Sequence, residues 1–203
     1  MSDPCHSDPR KGGFTLLELL VVIAVMTLLM AFIVPAMNGM LDSSNLTQGA
    51  QTVYDQFDSA RQFASTMNTT IEVRLLNIPS RSSQGYSGIQ LYSTSAAGVP
   101  EPVGKIAYLP QSVVIAQEKT VLSPLLSFLT VSGTMSAGNA NVSYVSFSLR
   151  PSGAVVPVET GTNRNELYLT VVPARFAASA SPPPNHATIQ LNPDTGSLLL
   201  YRE

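Results

Sequence analysis

The chain has 203 residues, of which 44% are apolar and only 12% charged, and its formal net charge at pH 7 is −2. This composition disfavours both a disordered polyelectrolyte and a basic nucleic-acid-binding protein. One cysteine cannot form an internal disulfide, and two histidines cannot by themselves build a histidine-rich metal site or a conventional catalytic triad. We therefore expect partners to be recognised through shape and apolar contact, with no cofactor, metal ion or nucleic acid bound.

An apolar segment, residues 14–34, begins shortly after the amino terminus. Of its 21 residues 18 are apolar, and the exceptions are Thr15, Glu18 and Thr27. A helix of that length reaches about 31 Å, which matches the hydrocarbon thickness of a bilayer. A helix buried in a soluble domain would instead show a polar face. The sequence therefore predicts one transmembrane helix over 14–35 that contacts the lipid bilayer.

Basic residues lie on one side of this segment. Arg10 and Lys11 precede it directly, and no Lys or Arg follows it before Arg61. By the positive-inside rule the amino terminus stays in the cytoplasm and the remainder is exported. A removed secretory signal is the alternative, but its apolar region would be shorter and would end in small residues, which residues 34–36 imitate poorly. A retained single-pass anchor is favoured.

Residues 11–22, KGGFTLLELLVV, resemble the cleavage and methylation motif of type IV prepilins and type II secretion pseudopilins. The resemblance implies that prepilin peptidase removes a leader, residues 1–13, by cutting between Gly13 and Phe14, and that the new amino group of Phe14 is methylated. It implies an inner-membrane protein whose carboxyl-terminal head lies in the periplasm or in a cell-surface filament. It also makes Pro35 the counterpart of a proline found at the kink of pilin helices.

Glu18 is the one charged residue of the apolar segment. A carboxylate in an apolar helix costs roughly 2.5–3.5 kcal/mol at the bilayer centre, and an unpaired one usually marks a functional site. The resemblance implies that Glu18 meets the amino terminus of a neighbouring subunit and so directs filament assembly. In the alternative interpretation Glu18, one turn from the helix end, reaches the membrane interface on its own. We favour the filament role, because an incidental charge at this position would be costly.

The following segment, residues 36–68, is polar with an apolar stripe at spacings of three and four. This pattern predicts an amphipathic helix packed on a core. Pro35 lacks a backbone donor, and Gly39 and Gly49 weaken a helix. We therefore predict a kink or a melted turn near residues 35–45. The stripe consists of Leu46, Ala50, Val53, Tyr54, Phe57, Ala60, Ala64 and Met67.

From residue 69 to residue 203 the apolar pattern changes to alternation, which is typical of strands with one buried face. Turns are predicted at Pro151–Gly153 and Asn192–Gly196, where proline sets φ and glycine permits a positive φ. The overall prediction is an α+β fold in which a long helix packs on an antiparallel, all-β, pilin-like head. The predicted strands are 71–75, 87–93, 104–108, 112–117, 125–131, 145–149, 154–158, 166–172, 187–191 and 197–202.

Parts of the exported chain carry a further resemblance. The runs SARQFASTMNTTIEVRL, VSFSLRPSGAVV and ATIQLNPDTGSLLLYR are similar to H-type minor pseudopilins, and SNLTQGAQ and LPQSVVIA resemble the Verru_Chthon cassette protein D group. These resemblances imply a structural subunit that assembles with other pseudopilins or pilins.

The sequence contains few residues in arrangements suited to catalysis or metal binding. His186 has no neighbouring cysteine or carboxylate in sequence, and Asp55 and Asp58 supply too few oxygen ligands for a metal ion. We therefore predict a protein without enzymatic activity, a minor pseudopilin-like subunit of a type II secretion pseudopilus. A minor pilin of a type IV or DNA-uptake pilus and a membrane-anchored binding module that never polymerises are the alternatives. A plain anchor would need neither Gly13 and Phe14 nor Glu18.

Overall fold

The computed structural model describes residues 13–82, 84–94, 98–129, 131–138, 140–156 and 167–203, and between residues 32 and 40 it describes the backbone alone. The chain divides into two compact units, Met1–Leu41 and Asp42–Glu203. Except for Gly13, the predicted leader lies outside the described residues, as do the basic residues Arg10 and Lys11.

One helix, α1 (Leu16–Met67), runs for 52 residues without interruption. The backbone between residues 35 and 45 is helical, so the melted turn predicted there is wrong. A proline removes one donor from the hydrogen-bond ladder and a glycine costs about 1 kcal/mol, and neither is enough to end a helix of this length. A kink at Pro35 stays a prediction.

The carboxyl end of α1 is closed by its own backbone. Asn68 adopts a left-handed conformation with φ of 50°, and the amide of Thr69 donates to the carbonyl oxygen of Ala64 at 3.2 Å. This arrangement satisfies a carbonyl that would otherwise be left open in the last turn. The chain therefore reverses sharply and enters the first strand at Ile71.

The larger of two antiparallel sheets consists of β1 (Ile71–Asn77), β2 (Gly88–Thr94), β3 (Pro100–Tyr108), β5 (Val131–Ala137), β6 (Ala140–Leu149) and β7 (Val155–Val156). Its strand order is β3-β2-β1-β6-β5, and β7 also pairs with β6. In its centre β1 pairs on one side with β2 and on the other with β6, with Val73 opposite both Leu91 and Phe147.

The smaller sheet consists of β4 (Val113–Ile115), β8 (Tyr168–Pro173), β9 (Ala187–Leu191) and β10 (Leu198–Arg202). Its strand order is β10-β9-β8-β4, and it is also antiparallel. The chain also forms two short helical turns, α2 (Leu125–Phe128) and a 3₁₀ helix (Ala174–Phe176) after β8.

The core of the second unit lies between one face of α1 and the two sheets. Phe57 on α1 and Phe147 on β6 meet edge to face, with ring centroids 5.2 Å apart. The apolar stripe predicted on α1 is confirmed, although Tyr54 is only half-buried and Met67 is exposed. A helix packed on antiparallel strands confirms the predicted α+β class. The buried members of the stripe are Leu46, Ala50, Val53, Phe57, Ala60 and Ala64.

Both predicted turns are present, and they pack against each other. Gly153 and Gly196 have φ of 88° and 63°, which is the conformation that glycine adopts without steric cost. The amide of Val155 donates to the carbonyl oxygen of Pro193 at 2.8 Å. A Cβ atom on Gly153 would lie 2.3 Å from the carbonyl oxygen of Thr195. The close approach of the two backbones therefore requires glycine.

The predicted strand over 125–131 is wrong. Leu125–Phe128 form the single turn α2, and Pro124 before them already has helical dihedrals, with φ of −57°. Consecutive Leu125 and Leu126 are both buried, which alternation in a half-buried strand does not allow. Strand β5 follows at Val131. Its sequence, VSGTMSA, has little apolar alternation, and pairing with β6 defines it instead.

Candidate functional site

The predicted cleavage site lies just before the helix. Gly13, Phe14 and Thr15 have no regular secondary structure, and the Phe14 side chain is 84% exposed. A Cβ atom on Gly13 would meet no atom of the described residues within 4 Å. Residues 14–203, as far as the structure describes them, therefore impose no requirement for a small residue at position 13.

Thr15 and Glu18 form a reciprocal capping box at the start of α1. The backbone amide and the hydroxyl of Thr15 donate to Oε2 of Glu18 at 2.8 and 2.9 Å. In return, the amide of Glu18 donates to the Thr15 hydroxyl oxygen at 3.2 Å. Such a box satisfies helix amides that have no partner within the helix. Glu18 thus has a partner within its own chain. This partner was not among the predictions, although the spacing Thr-x-x-Glu is the sequence signature of a capping box.

The first turns of α1 expose apolar side chains on every face. The exposed fractions of the large apolar residues from Phe14 to Met30 run from 46% at Val22 to 84% at Phe14. Among the residues that the structure describes, no helix has the length and apolarity of a membrane span.

The structure brings some of the predicted site residues together and separates others. Glu18 lies within one turn of the Gly13–Phe14 bond. Pro35 follows Glu18 by 17 residues, which is about 25 Å of helix. Pro35 therefore belongs to another part of the helix and contributes nothing to the site at the amino-terminal end.

A charged and aromatic cluster occupies the outer face of the larger sheet. Both carboxylate oxygens of Glu72 accept hydrogen bonds from Arg74, at 2.9 and 2.8 Å. The Arg74 guanidinium carbon lies 3.8 Å from the ring centroid of Tyr92 and 4.5 Å from that of Tyr144. Burial acts to lower the pKa of Arg74, but the hydrogen bonds and charge of Glu72 outweigh it and raise the pKa overall. Arg74 is therefore held as a cation between two rings.

A groove of about 410 Å³ adjoins this cluster. Hydroxyl groups and apolar side chains line it beside the Glu72–Arg74 pair. The Arg74 guanidinium contacts the Glu72 carboxylate and two aromatic rings. Its role beside the groove is therefore to stabilise the fold. The lining residues are Glu72, Arg74, Val131, Tyr144, Ser146, Phe147, Ser148 and Val156.

Glu118 organises the turn after β4. Its carboxylate accepts hydrogen bonds from the amides of Thr120, Val121 and Leu122 at 2.9, 2.7 and 2.9 Å, and from the Thr120 hydroxyl. The Thr120 hydroxyl and these amides lower the pKa of Glu118 from its ordinary 4.5 to about 2. The Glu118 carboxylate thus stabilises its own loop through these hydrogen bonds.

The residues considered for acid-base or metal chemistry lie apart. The Nδ1 atom of His186 is 2.8 Å from the carbonyl oxygen of Pro183, and its Nε2 atom is 4.0 Å from Glu203. Asp55 accepts from Gln51, and Asp58 accepts from Arg61 on the same helix. Within the described part of the chain, no group of three His, Cys, Asp or Glu side chains could hold a metal ion.

Comparisons with known proteins bear mainly on the amino-terminal segment. Residues 8–34 match the prokaryotic N-terminal methylation motif. This match confirms the resemblance that residues 11–22 carry. A solved structure, the minor pseudopilin EpsH from the type 2 secretion system of Vibrio cholerae, is similar over 78% of this chain and 97% of that chain, at 12% identity and a TM-score of 0.46. No match is found among curated proteins.

The methylation motif thus coincides with the start of α1. It contains Gly13, Phe14, Thr15 and Glu18, and the capping box is formed by two of these residues. The cluster around Arg74 was missed from the sequence, because Glu72 and Arg74 read only as the solvent-facing residues of a strand. Tyr92 and Tyr144 reach them through pairing with β1 from distant parts of the chain.

Proposed function

We propose that this chain is a minor pseudopilin-like structural subunit of a type II secretion pseudopilus, processed by prepilin peptidase. The observation that carries the proposal is the methylation motif over residues 8–34, with Phe14 at the predicted cleavage site and Glu18 in the first turn of the helix. The H-type resemblance of the exported chain favours a minor subunit.

The anchor is part of the same proposal. The 21-residue apolar segment, with Arg10 and Lys11 before it, would cross the inner membrane once and leave the head in the periplasm. The apolar side chains exposed around the start of α1 support this placement, since lipid or neighbouring helices would cover them. The head and the part of α1 that packs on it share one core. Together they would project from the membrane and contact other pseudopilins.

The proposed role is structural rather than enzymatic. Glu118 and His186 both contact the backbone of their own loops. The Arg74 guanidinium pairs with Glu72 and lies against two aromatic rings. These groups are engaged within the fold, and the proposed partners, which are prepilin peptidase, lipid and other subunits, follow from the methylation motif.

Processing provides the first test. Mass spectrometry of the protein extracted from its native membranes should find N-methyl-Phe14 at the amino terminus. As matched variants, Gly13→Ala should still be cleaved and Gly13→Leu should accumulate uncut. Because a side chain at position 13 would meet none of the described residues, a difference between these variants is expected to report on the peptidase and not on folding. An intact Met1 in cells with active prepilin peptidase would contradict the proposal.

Assembly provides the second test. Glu18→Val should insert into the membrane at least as well as wild type, because it removes a penalty of about 2.5 kcal/mol or more. Cross-linking to partner subunits should fall, at equal protein level and equal processing. Wild-type cross-linking by Glu18→Val would leave Glu18 as a residue that only reaches the interface.

A further inference from the structure

Strand β10 is an open edge of the smaller sheet, because among the described residues it pairs only with β9. The amide of Glu203, just after β10, donates to the carbonyl oxygen of His186 at 3.2 Å. Hydrogen-bonded residue pairs alternate along an antiparallel ladder, so every second residue of β10 turns its backbone amide and carbonyl away from β9. These outward-facing residues are Leu198, Leu200 and Arg202.

The side chains along this edge are apolar and exposed on both faces of the sheet. Leu199 and Tyr201 on the outer face are 57% and 52% exposed. Leu200, which lies opposite the buried Ile189, is still 38% exposed. Natural sheets protect open edges with proline or lysine, as β3 does with two prolines and one lysine, but β10 contains neither. An unprotected apolar edge is typical of a surface to which another strand pairs.

A polar stripe of α1 runs beside this edge. Arg202 donates to the hydroxyl oxygen of Thr47. Thr47, Gln51 and Asp55 also line a hollow of about 470 Å³ on the surface of α1. Their spacing of four places them on one face over about 12 Å of helix, which is close to the length of β10. Because Thr47 borders both features, the hollow adjoins the open edge and provides room for an additional strand.

The hollow carries one formal charge, that of Asp55. Its carboxylate accepts a hydrogen bond from the neutral amide of Gln51 at 2.8 Å, a contact that leaves the charge unbalanced. A strand added to β10 would turn every second side chain toward α1. A Lys or Arg at such a position would be electrostatically complementary to Asp55.

We propose that β10 receives an extended strand of a different subunit, with apolar side chains on the outer face and a Lys or Arg that faces Asp55. The inference rests on the proposed function, since the partner is another subunit. A second copy of this chain fits less well. Of its other described strands with an open side, β4, β5 and β7 contain no Lys or Arg, and β3 contains two prolines, which cannot donate to a ladder.

Amide hydrogen exchange, resolved by residue, tests the backbone pairing. The full chain in detergent is compared alone and in complex with the partner subunits extracted from native membranes. Exchange at Leu200 and Arg202 should slow by about tenfold or more in the complex, because the added strand would accept hydrogen bonds from these amides. Leu199 and Tyr201, whose amides face β9, should exchange equally slowly in both samples.

Matched substitutions separate backbone pairing from side-chain contact. Leu200→Pro removes the outward amide, which an edge strand tolerates, and Leu200→Ala keeps it. At equal abundance, recovery of partner subunits should be about fivefold lower for Leu200→Pro than for Leu200→Ala, the factor typical of one lost hydrogen bond. Asp55→Asn should lower recovery about threefold. The control Glu101→Gln, which removes a carboxylate from β3, should leave recovery unchanged.

Each other outcome contradicts a separate claim. Unchanged exchange at Leu200 and Arg202 in the complex, or equal recovery for Leu200→Pro and Leu200→Ala, would overturn the inference. The proposed function would still stand if Phe14 is methylated and Glu18→Val lowers cross-linking. Protection that rises with the concentration of the chain alone would assign the edge to a second copy and overturn the choice of partner. An unprocessed amino terminus would contradict the proposed function, and the inference with it.

Discussion

The two units of the chain place the same residue types in opposite environments. On the single helix α1, Leu20 is 55% exposed, whereas Leu46 is fully buried. Apolar residues surround the helix before residue 35, so no one surface could cover them all. Beyond Asp42 they recur on one face, which the sheets cover. The larger unit therefore completes its own core, whereas the apolar side chains of the amino-terminal unit are not covered by the residues that the structure describes.

The largest effect should come from separating the two units. Residues 42–203 should fold alone into a soluble, mainly β monomer, and the full chain should need detergent, since each large apolar side chain left in water forgoes about 1.5–3 kcal/mol. Circular dichroism and sedimentation of both forms check this. A helical or unfolded spectrum for residues 42–203 would contradict a self-contained head.

A matched pair of core and surface truncations should sharpen the contrast. Phe57→Ala should destabilise the head by about 3–5 kcal/mol, because it leaves a cavity against Phe147. Leu20→Ala should leave the unfolding of the head unchanged, since Leu20 is exposed in the other unit. Denaturant unfolding followed by tyrosine fluorescence measures both. Equal shifts for the two variants would remove the distinction between the units.

Two glycines with similar backbones should differ in the cost of an added methyl group. Gly153→Ala should cost about 2–4 kcal/mol, since a positive φ adds strain and the new Cβ would clash with the Thr195 backbone. Gly138→Ala should cost about 1 kcal/mol, because φ is 64° there but no described residue would lie within 4 Å of the new Cβ atom. Thermal unfolding of the two variants should rank them in this order. An equal loss of stability in both variants would mean that the packing of the turn at Gly153 against the turn at Gly196 does not contribute to the stability of the fold.

The smallest effect concerns acid stability of the head. The pKa of Glu118 is about 2 in the folded chain and 4.5 ordinarily, so the unfolded chain binds more protons between these values. The stabilisation from this carboxylate is complete above pH 4.5 and is lost as the pH falls toward 2. The free energy of unfolding of Glu118→Gln should fall less between pH 4.5 and pH 2 than that of wild type. An equal fall in both proteins would mean that other groups cause the loss of stability in acid.

The parts of the fold and site that depend on neighbours in sequence could be predicted. The stripe from Leu46 to Ala64 and the glycine turns at 153 and 196 were confirmed, because helical spacing and positive φ are local requirements. The motif around Gly13, Phe14 and Glu18 was also readable, and its match over residues 8–34 confirms it. Cleavage, methylation and the role of Glu18 stay predictions.

The amino-acid sequence by itself thus determined the apolar segment and the amphipathic face, since each involves residues within a few turns of one another. Only the tertiary structure decided that Val131–Ala137 form a strand and that Arg74 lies between two aromatic rings. The physical reason is distance along the chain. Strand pairing and aromatic stacking join residues that are far apart in sequence, and no local pattern specifies which of them will meet.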